Sequence, residues 1–251
     1  MIDALYQRLA IPESCCLGKR VYKKLFFENA QLGVTDKKAF EQDIDSVTWQ
    51  YALKPNTIQI ASYEDEEREY HEIAVLQVNL RENRRYRRIA EVIHRAIPYP
   101  LLLIFVHEDT FAVSLAHKRF SQAEREKIVV DEFFFTDWIN PNVSANGEAA
   151  FLGSLDFGRL PQTNCFSLYS GLVDRVIALD CARLTGQFRL ESAAAQQYRR
   201  RKLLQSCHQL ERQIAELRAQ IKAETQFNRQ VELNVRIKAL ESQLKKEVAM
   251  L

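Results

Sequence analysis

From Glu191 to Leu251 the chain contains neither glycine nor proline and is built mainly of Gln, Glu, Arg, Lys, Ala and Leu, all good helix formers. Within it Leu203, Cys207, Leu210, Ile214, Leu217 and Ile221 follow one another by alternating steps of four and three, which keeps a narrow apolar seam on one helix face. Continuing that frame places Glu224 and Asn228 in the seam, and apolar spacing resumes two positions out of phase at Leu233, Ile237, Leu240 and Leu244. Either one helix runs through a stutter, or the chain turns back between Thr225 and Arg229 into an antiparallel pair. With no glycine or proline there, a continuous coiled-coil rod is the expectation. So narrow a seam cannot bury itself, so Leu203, Leu210, Ile214, Leu217, Ile221, Leu233, Ile237, Leu240 and Leu244 are expected to drive homo-oligomerisation.

Charge separates this segment from the rest. It carries 12 Lys+Arg against 7 Asp+Glu, leaving 23 against 26 over residues 1–190 of a 251-residue chain whose formal net charge is +2. The organisation expected is a mixed α/β globular domain over 1–190 and a helical coiled-coil segment over 191–251. With 47% hydrophobic residues the first part can bury a core. The strongest candidate for a membrane span, Pro100 to Val106, is far too short. Met1-Ile2-Asp3-Ala4-Leu5 shows no basic leader or cleavage site, so a cytoplasmic location without a membrane partner is expected. Cys15, Cys16, Cys165, Cys181 and Cys207 lack the two-residue spacing of a zinc grip, and reduced thiols are expected.

The first part reads as α+β, a mixed central sheet with flanking helices. A helix is expected from Val21 to Leu32, closed by Gly33, and a second one capped by Thr35 with Phe40 and Ile44 on one face. Val47, Trp49, Tyr51 and Leu53 alternate as a strand, Lys54-Pro55-Asn56 turns, and Thr57 to Ile60 resumes as its partner. The near-continuous apolar run inside Tyr70 to Leu80 predicts a central strand covered on both faces. Arg84 to Ala96 is helical, and Leu101 to Val106 and Phe111 to Leu115 form a hairpin. Phe133, Phe134, Phe135 and Trp138 read as core, Pro141 to Gly147 as a loop, and Cys165 to Leu184 as a helix stopped by Gly186.

This order of helix, three-strand meander, helix and strand is that of the restriction-endonuclease-like fold. There a carboxylate on one strand and an acidic-x-Lys triplet on the next hold magnesium and activate water. The corresponding strand here carries Gln77-Val78-Asn79, which supplies neither charge, so the site reads as degenerate. Asp43, Asp45 and Glu72 are the remaining candidate metal ligands, with solvation or ion pairing as the plainer expectation. Gly-rich phosphate loops, nucleophile elbows and His-Glu-x-x-His are absent. His71, His94, His107, His117 and His208 are scattered, with His107 and His117 facing each other at most across a hairpin. No catalytic residue, metal or cofactor is assigned.

Arg81, Arg84, Arg85, Arg87 and Arg88 crowd the start of a helix whose amides are already partly positive, an arrangement that a nucleic-acid backbone would relieve. Neutralisation by Glu82, Glu91 and the acidic stretch Glu64 to Glu67 is the competing expectation. A second run, Arg199 to Lys202, reads as a solvated helix face.

Lys23-Lys24-Leu25-Phe26-Phe27-Glu28-Asn29-Ala30, Thr35-Asp36-Lys37-Lys38-Ala39-Phe40, Glu66-Glu67-Arg68-Glu69-Tyr70-His71-Glu72-Ile73, Ile97-Pro98-Tyr99-Pro100 and Leu115-Ala116-His117-Lys118-Arg119 together resemble an uncharacterised bacterial family, domain of unknown function 4391. The resemblance covers about residues 1–190. It implies a gene setting beside helicases and DNA methyltransferases in bacterial antiviral defence clusters, and brings no catalytic residues with it. The resulting expectation is a non-catalytic accessory subunit of a DNA-processing or antiphage system. Such a subunit docks on a helicase or methyltransferase partner, or on DNA or RNA, and oligomerises through its tail. The alternatives are a metal-dependent nuclease and a scaffold that contacts proteins only.

Overall fold

The computed structural model describes residues 2–29, 32–124, 127–143 and 147–251. It resolves into two compact units, Met1–Val176 and Ile177–Leu251.

The first unit opens with α1 (Ile2–Leu9), β1 (Cys16–Val21), α2 (Lys24–Asn29), α3 (Val34–Gln42) and β2 (Ile44–Leu53). There follow α4 (Pro55–Ile58), a small antiparallel hairpin of β3 (Tyr63–Glu64) and β4 (Glu69–Tyr70), then β5 (Ile73–Leu80), α5 (Tyr86–Ala96), β6 (Leu101–His107), β7 (Thr110–Phe120), β8 (Ile128–Phe135) and α6 (Glu148–Ser154). α7 (Cys165–Thr185) begins in this unit and ends in the second. One six-stranded sheet has the order β1-β2-β5-β6-β7-β8, antiparallel except between β5 and β6, which α5 connects. The architecture is α+β; β1, β2 and β5 form an antiparallel meander followed by α5 and a parallel β6, but of the three strands expected for that meander only β2 and β5 form, and the third is β1, which precedes α2 and α3.

β5, broken only by Gln77 and Asn79, and β6 read as near-continuous apolar runs because both faces of the sheet are covered. On one face Ala74, Leu76, Val78, Leu101, Leu103 and Phe105 pack with Phe26 of α2, Phe40 of α3 and Ile89 and Ile93 of α5. On the other, Val75, Leu102, Ile104 and Val113 meet Leu5 and Leu9 of α1 and Leu172 of α7. Residues of alternate parity on β5 therefore belong to different cores, as a period of two requires. At Gly171 an added Cβ would lie 2.4 Å from Pro161 Cδ, so only glycine allows α7 this close approach.

Several local expectations change. Thr57 to Ile58 is helical rather than a strand: Pro55 stands at the start of α4 and Thr57 Oγ1 accepts the Lys54 N–H, so the segment winds up and β2 pairs with β1 and β5 instead. Gly33 does not close α2 but precedes α3, its carbonyl accepting the Lys37 N–H, which places Thr35 inside the helix. Val21 belongs to β1 and the expected helix begins at Lys24 as α2; its Ala30 and Gln31 lie outside the described residues.

In the second unit the expected continuous rod is broken. α8 (Ala194–Ala223) and α9 (Phe227–Val248) run antiparallel as a hairpin, tied by Arg218 to Glu241 at 2.7 Å. Residues 224–226 leave helical geometry without glycine or proline because the Glu224 carboxylate accepts the N–H groups of Thr225 and Gln226, both at 2.8 Å. An acidic residue falling in the apolar seam thus marks the turn itself.

Candidate functional site

Gln77 and Asn79 project from the same side of β5, one residue apart, where the nuclease pattern requires an acid and a lysine. Gln77 Oε1 accepts from the Tyr6 hydroxyl of α1 and from Gln50 Nε2 of β2, both at 3.0 Å. Gln77 Nε2 donates to Asn79 Oδ1 at 2.8 Å, and Asn79 Nδ2 donates to Ser46 Oγ at 2.9 Å. Burial, and then the neighbouring Tyr51, push the Tyr6 hydroxyl well above the ordinary phenol range, so it stays a donor. Five neutral side chains from α1, β2 and β5 therefore satisfy one another. The cluster offers no anionic oxygen for a divalent ion and no ammonium for a developing charge.

The remaining candidate ligands are dispersed into separate ion pairs. Asp43, almost fully buried, holds Arg85 through both carboxylate oxygens, Asp45 pairs with Arg81 at 3.0 Å, and Glu72 pairs with Lys54 at 3.2 Å. Among the described residues no group of three His, Cys, Asp or Glu side chains could hold a metal.

Four of the five clustered arginines are engaged within the first unit. Besides Arg81 and Arg85, Arg88 forms a two-toothed pair with Asp36 at 2.8 Å and reaches Glu91, and Arg87 pairs with Asp137 while lying over the Tyr86 and Phe135 rings. The neutralising acids are mainly aspartates from α3, the α3–β2 junction and the segment after β8, rather than the stretch Glu64 to Glu67. Arg88 holds the Asp36 carboxyl below the usual carboxylate range by hydrogen bonding. Arg84 is exposed and makes no ion pair among the described residues.

A surface that sequence reasoning missed lies beside β1, which forms one edge of the sheet. A groove of about 560 Å³ is lined by Leu17, Lys19, Val21, Leu25, Trp49 and Tyr99, among others. Trp49 and Tyr99 meet with ring centroids 6.2 Å apart, and Leu17, Leu25 and the adjacent Tyr22 remain 40%, 48% and 68% exposed. The signal available was the cluster of apolar side chains around a strand whose pattern does not alternate. Behind its Ile97 wall lies Lys118 of β7, 2% exposed, whose ammonium donates to the His94 carbonyl at 2.6 Å and to the Ile97 carbonyl. Burial pushes the Lys118 amine down to about 7.

The histidines serve local structure. His107 Nε2 meets the Arg81 carbonyl, whereas His117 Nδ1 meets the Tyr70 hydroxyl at 2.8 Å, so the two have different partners. His94 meets Ser114 at 3.1 Å, His71 approaches Glu64 and Glu69, and His208 pairs with Asp180, whose hydrogen bond raises the imidazole above its usual value. All five cysteines are free thiols.

In the hairpin, Leu210, Ile214 and Ile237 are buried, and Leu203, Leu217, Ile221, Leu233, Leu240 and Leu244 are half-buried. Leu217 and Leu240 line an open groove together with Gln213, Glu216, Gln220, Arg236 and Ala239. Phe227, Val231 and Val235, one helical turn apart, form an exposed apolar stripe on α9.

The six-stranded sheet, with its cluster of neutral side chains on β5, defines an α+β architecture. The chain belongs to the family described as domain of unknown function (DUF4391), whose model matches residues 9–244 and so extends beyond the body into the helical hairpin. No curated protein and no solved structure matches the chain. Among the described residues, no helix is long and apolar enough to cross a membrane.

Proposed function

We propose that the protein is a non-catalytic accessory subunit that works by binding partners, in a bacterial DNA-processing or antiphage system. The observation that carries this reading is the hydrogen-bonded pair Gln77 and Asn79. A strand position that could hold metal is instead filled by amides bonded to each other and to Tyr6, Gln50 and Ser46. Cleaving a phosphodiester at such a position needs charge that these residues lack.

The partner is a protein, of the helicase or methyltransferase kind, in preference to bare nucleic acid. Arg81, Arg85, Arg87 and Arg88 are spent on internal carboxylates, leaving Arg84 as the exposed member of the cluster without an ion pair among the described residues. Counterion release needs several unpaired cations on one surface. Self-association uses the stripe Phe227, Val231 and Val235, a face that two helices cannot cover alone.

The second reading, a metal-dependent nuclease, draws support from the element order around β5. Incubation with single- and double-stranded DNA and RNA, in magnesium or manganese, separates the two. The accessory reading expects intact substrate; cleavage that is lost in Glu72→Ala establishes the nuclease instead.

A further inference from the structure

The geometry points to the groove beside β1 as the docking site for an extended segment of a partner protein, apolar at alternate positions and flanked by Asp or Glu. The inference rests on the accessory reading and names the surface that reading requires.

Three observations converge there. First, β1 pairs with β2 alone, so among the described residues the backbone groups of its outer edge have no strand partner, and an extended chain can add to them. A bulge separates Cys16 from Lys19, with Gly18 at φ 58°, so the regular stretch available for pairing is Lys19 to Val21. Second, beside that stretch lies the apolar groove, and of the large apolar side chains left exposed in the first unit, Leu17, Leu25 and Tyr99 line it. An added strand would place alternate side chains on the groove side, as Lys19 and Val21 of β1 already are, opposite Trp49 and Val47.

Third, the charge is one-sided. Lys19 and Arg20 make no ion pair among the described residues, unlike the arginines of α5, and the groove lining contains no carboxylate. Basic side chains at the rim of an apolar floor select an acidic, apolar segment and repel a basic one. A single-stranded nucleic acid would share the attraction to Lys19 and Arg20. However, of the three aromatic residues in the lining Phe26 is buried, and Trp49 and Tyr99 are tilted by 46° against each other rather than opened as a slot for a base.

The test is selection from a random-peptide display library on the full chain, followed by titration of the enriched peptides and hydrogen exchange of their complexes. Enriched peptides are expected to combine alternate apolar residues with flanking acids and to slow amide exchange within β1. Their affinity is expected to fall about tenfold or more in Lys19→Glu/Arg20→Glu and in Leu25→Asp, the first being a surface change that leaves the core intact. Absence of enrichment, basic consensus peptides, unchanged affinity in the charge-reversal variant, or displacement of the peptides by a single-stranded oligonucleotide would each overturn the assignment. Cleavage of nucleic acid by the same preparation would defeat the accessory reading yet leave a peptide-binding groove standing, so the two failures are distinguishable.

Discussion

The side-chain amide of Gln77 donates to the Asn79 side-chain carbonyl at 2.8 Å, joining the two positions on β5 where a strand-borne metal site would need opposite charges. Because the same Gln77 oxygen also accepts from Tyr6 and Gln50, one neutral residue ties α1 and β2 to the central strand. Gln77→Leu leaves these groups without their partner, and each partly buried group so stranded costs about 1 kcal/mol or more. Urea denaturation should show a loss of about 1–3 kcal/mol, with faster hydrogen exchange in α1. Unchanged stability would mean the network contributes nothing to the fold.

Tyr169 of α7 acts as a pin between β6 and β7. The ladder of these strands reaches Leu103 opposite Ser114, and beyond it the fully buried Tyr169 hydroxyl donates to the Leu101 carbonyl at 2.7 Å and accepts the Ala116 N–H at 2.8 Å. Tyr169→Phe preserves the ring and strands both backbone groups, so a loss of about 2–3 kcal/mol is expected in denaturant melts.

Lys118 gives stability a pH dependence. Its amine is pushed by burial from 10.5 to about 7, so between those values the native chain holds fewer protons than the unfolded one and stability rises with pH. Lys118→Met keeps the stem volume and removes the titration. The stability of the natural chain relative to that variant should therefore increase by about 2 kcal/mol from about pH 7 to about pH 9. A difference independent of pH would show that the ammonium is not shifted in the folded state.

The arginines clustered around the start of α5 should divide by their partners. Arg88→Ala removes the two-toothed contact that links α5 to Asp36 of α3, and thermal melting should fall; Arg84→Ala should leave the melting temperature unchanged. Equal effects would contradict the assignment of Arg88 to internal pairing.

Antiparallel packing of α8 and α9 places Arg218 against Glu241. Spin labels at the exposed positions Ala219 and Arg236 should therefore report a short distance, whereas a continuous rod would separate them by roughly 25 Å at 1.5 Å per residue. The exposed stripe supplies a second test: Val235→Glu should reduce the molar mass seen in light scattering if α9 joins copies of the chain.

How far the sequence disclosed this arrangement depended on how local the cause was. β5 was legible because both sheet faces are buried and its apolar run follows directly. β1 was not, since Cys16 to Val21 mixes glycine with basic residues at an exposed edge and has no regular alternation. The break in the tail was announced by Glu224 falling in the seam. Its outcome was not, because the carboxylate caps the turn by bonding two backbone amides, which no glycine or proline signals. Gln77 and Asn79 could be named as uncharged from the sequence. Their bonds to Tyr6, Gln50 and Ser46 required the pairing of distant strands and the docking of α1.

The most direct test of a neutral, metal-free β5 cluster is titration of the full chain with manganese, followed by electron paramagnetic resonance of the free ion. Only weak binding that is unchanged by Gln77→Leu or Asn79→Leu is expected. Saturable binding that either substitution abolishes would show that the cluster is a metal site after all.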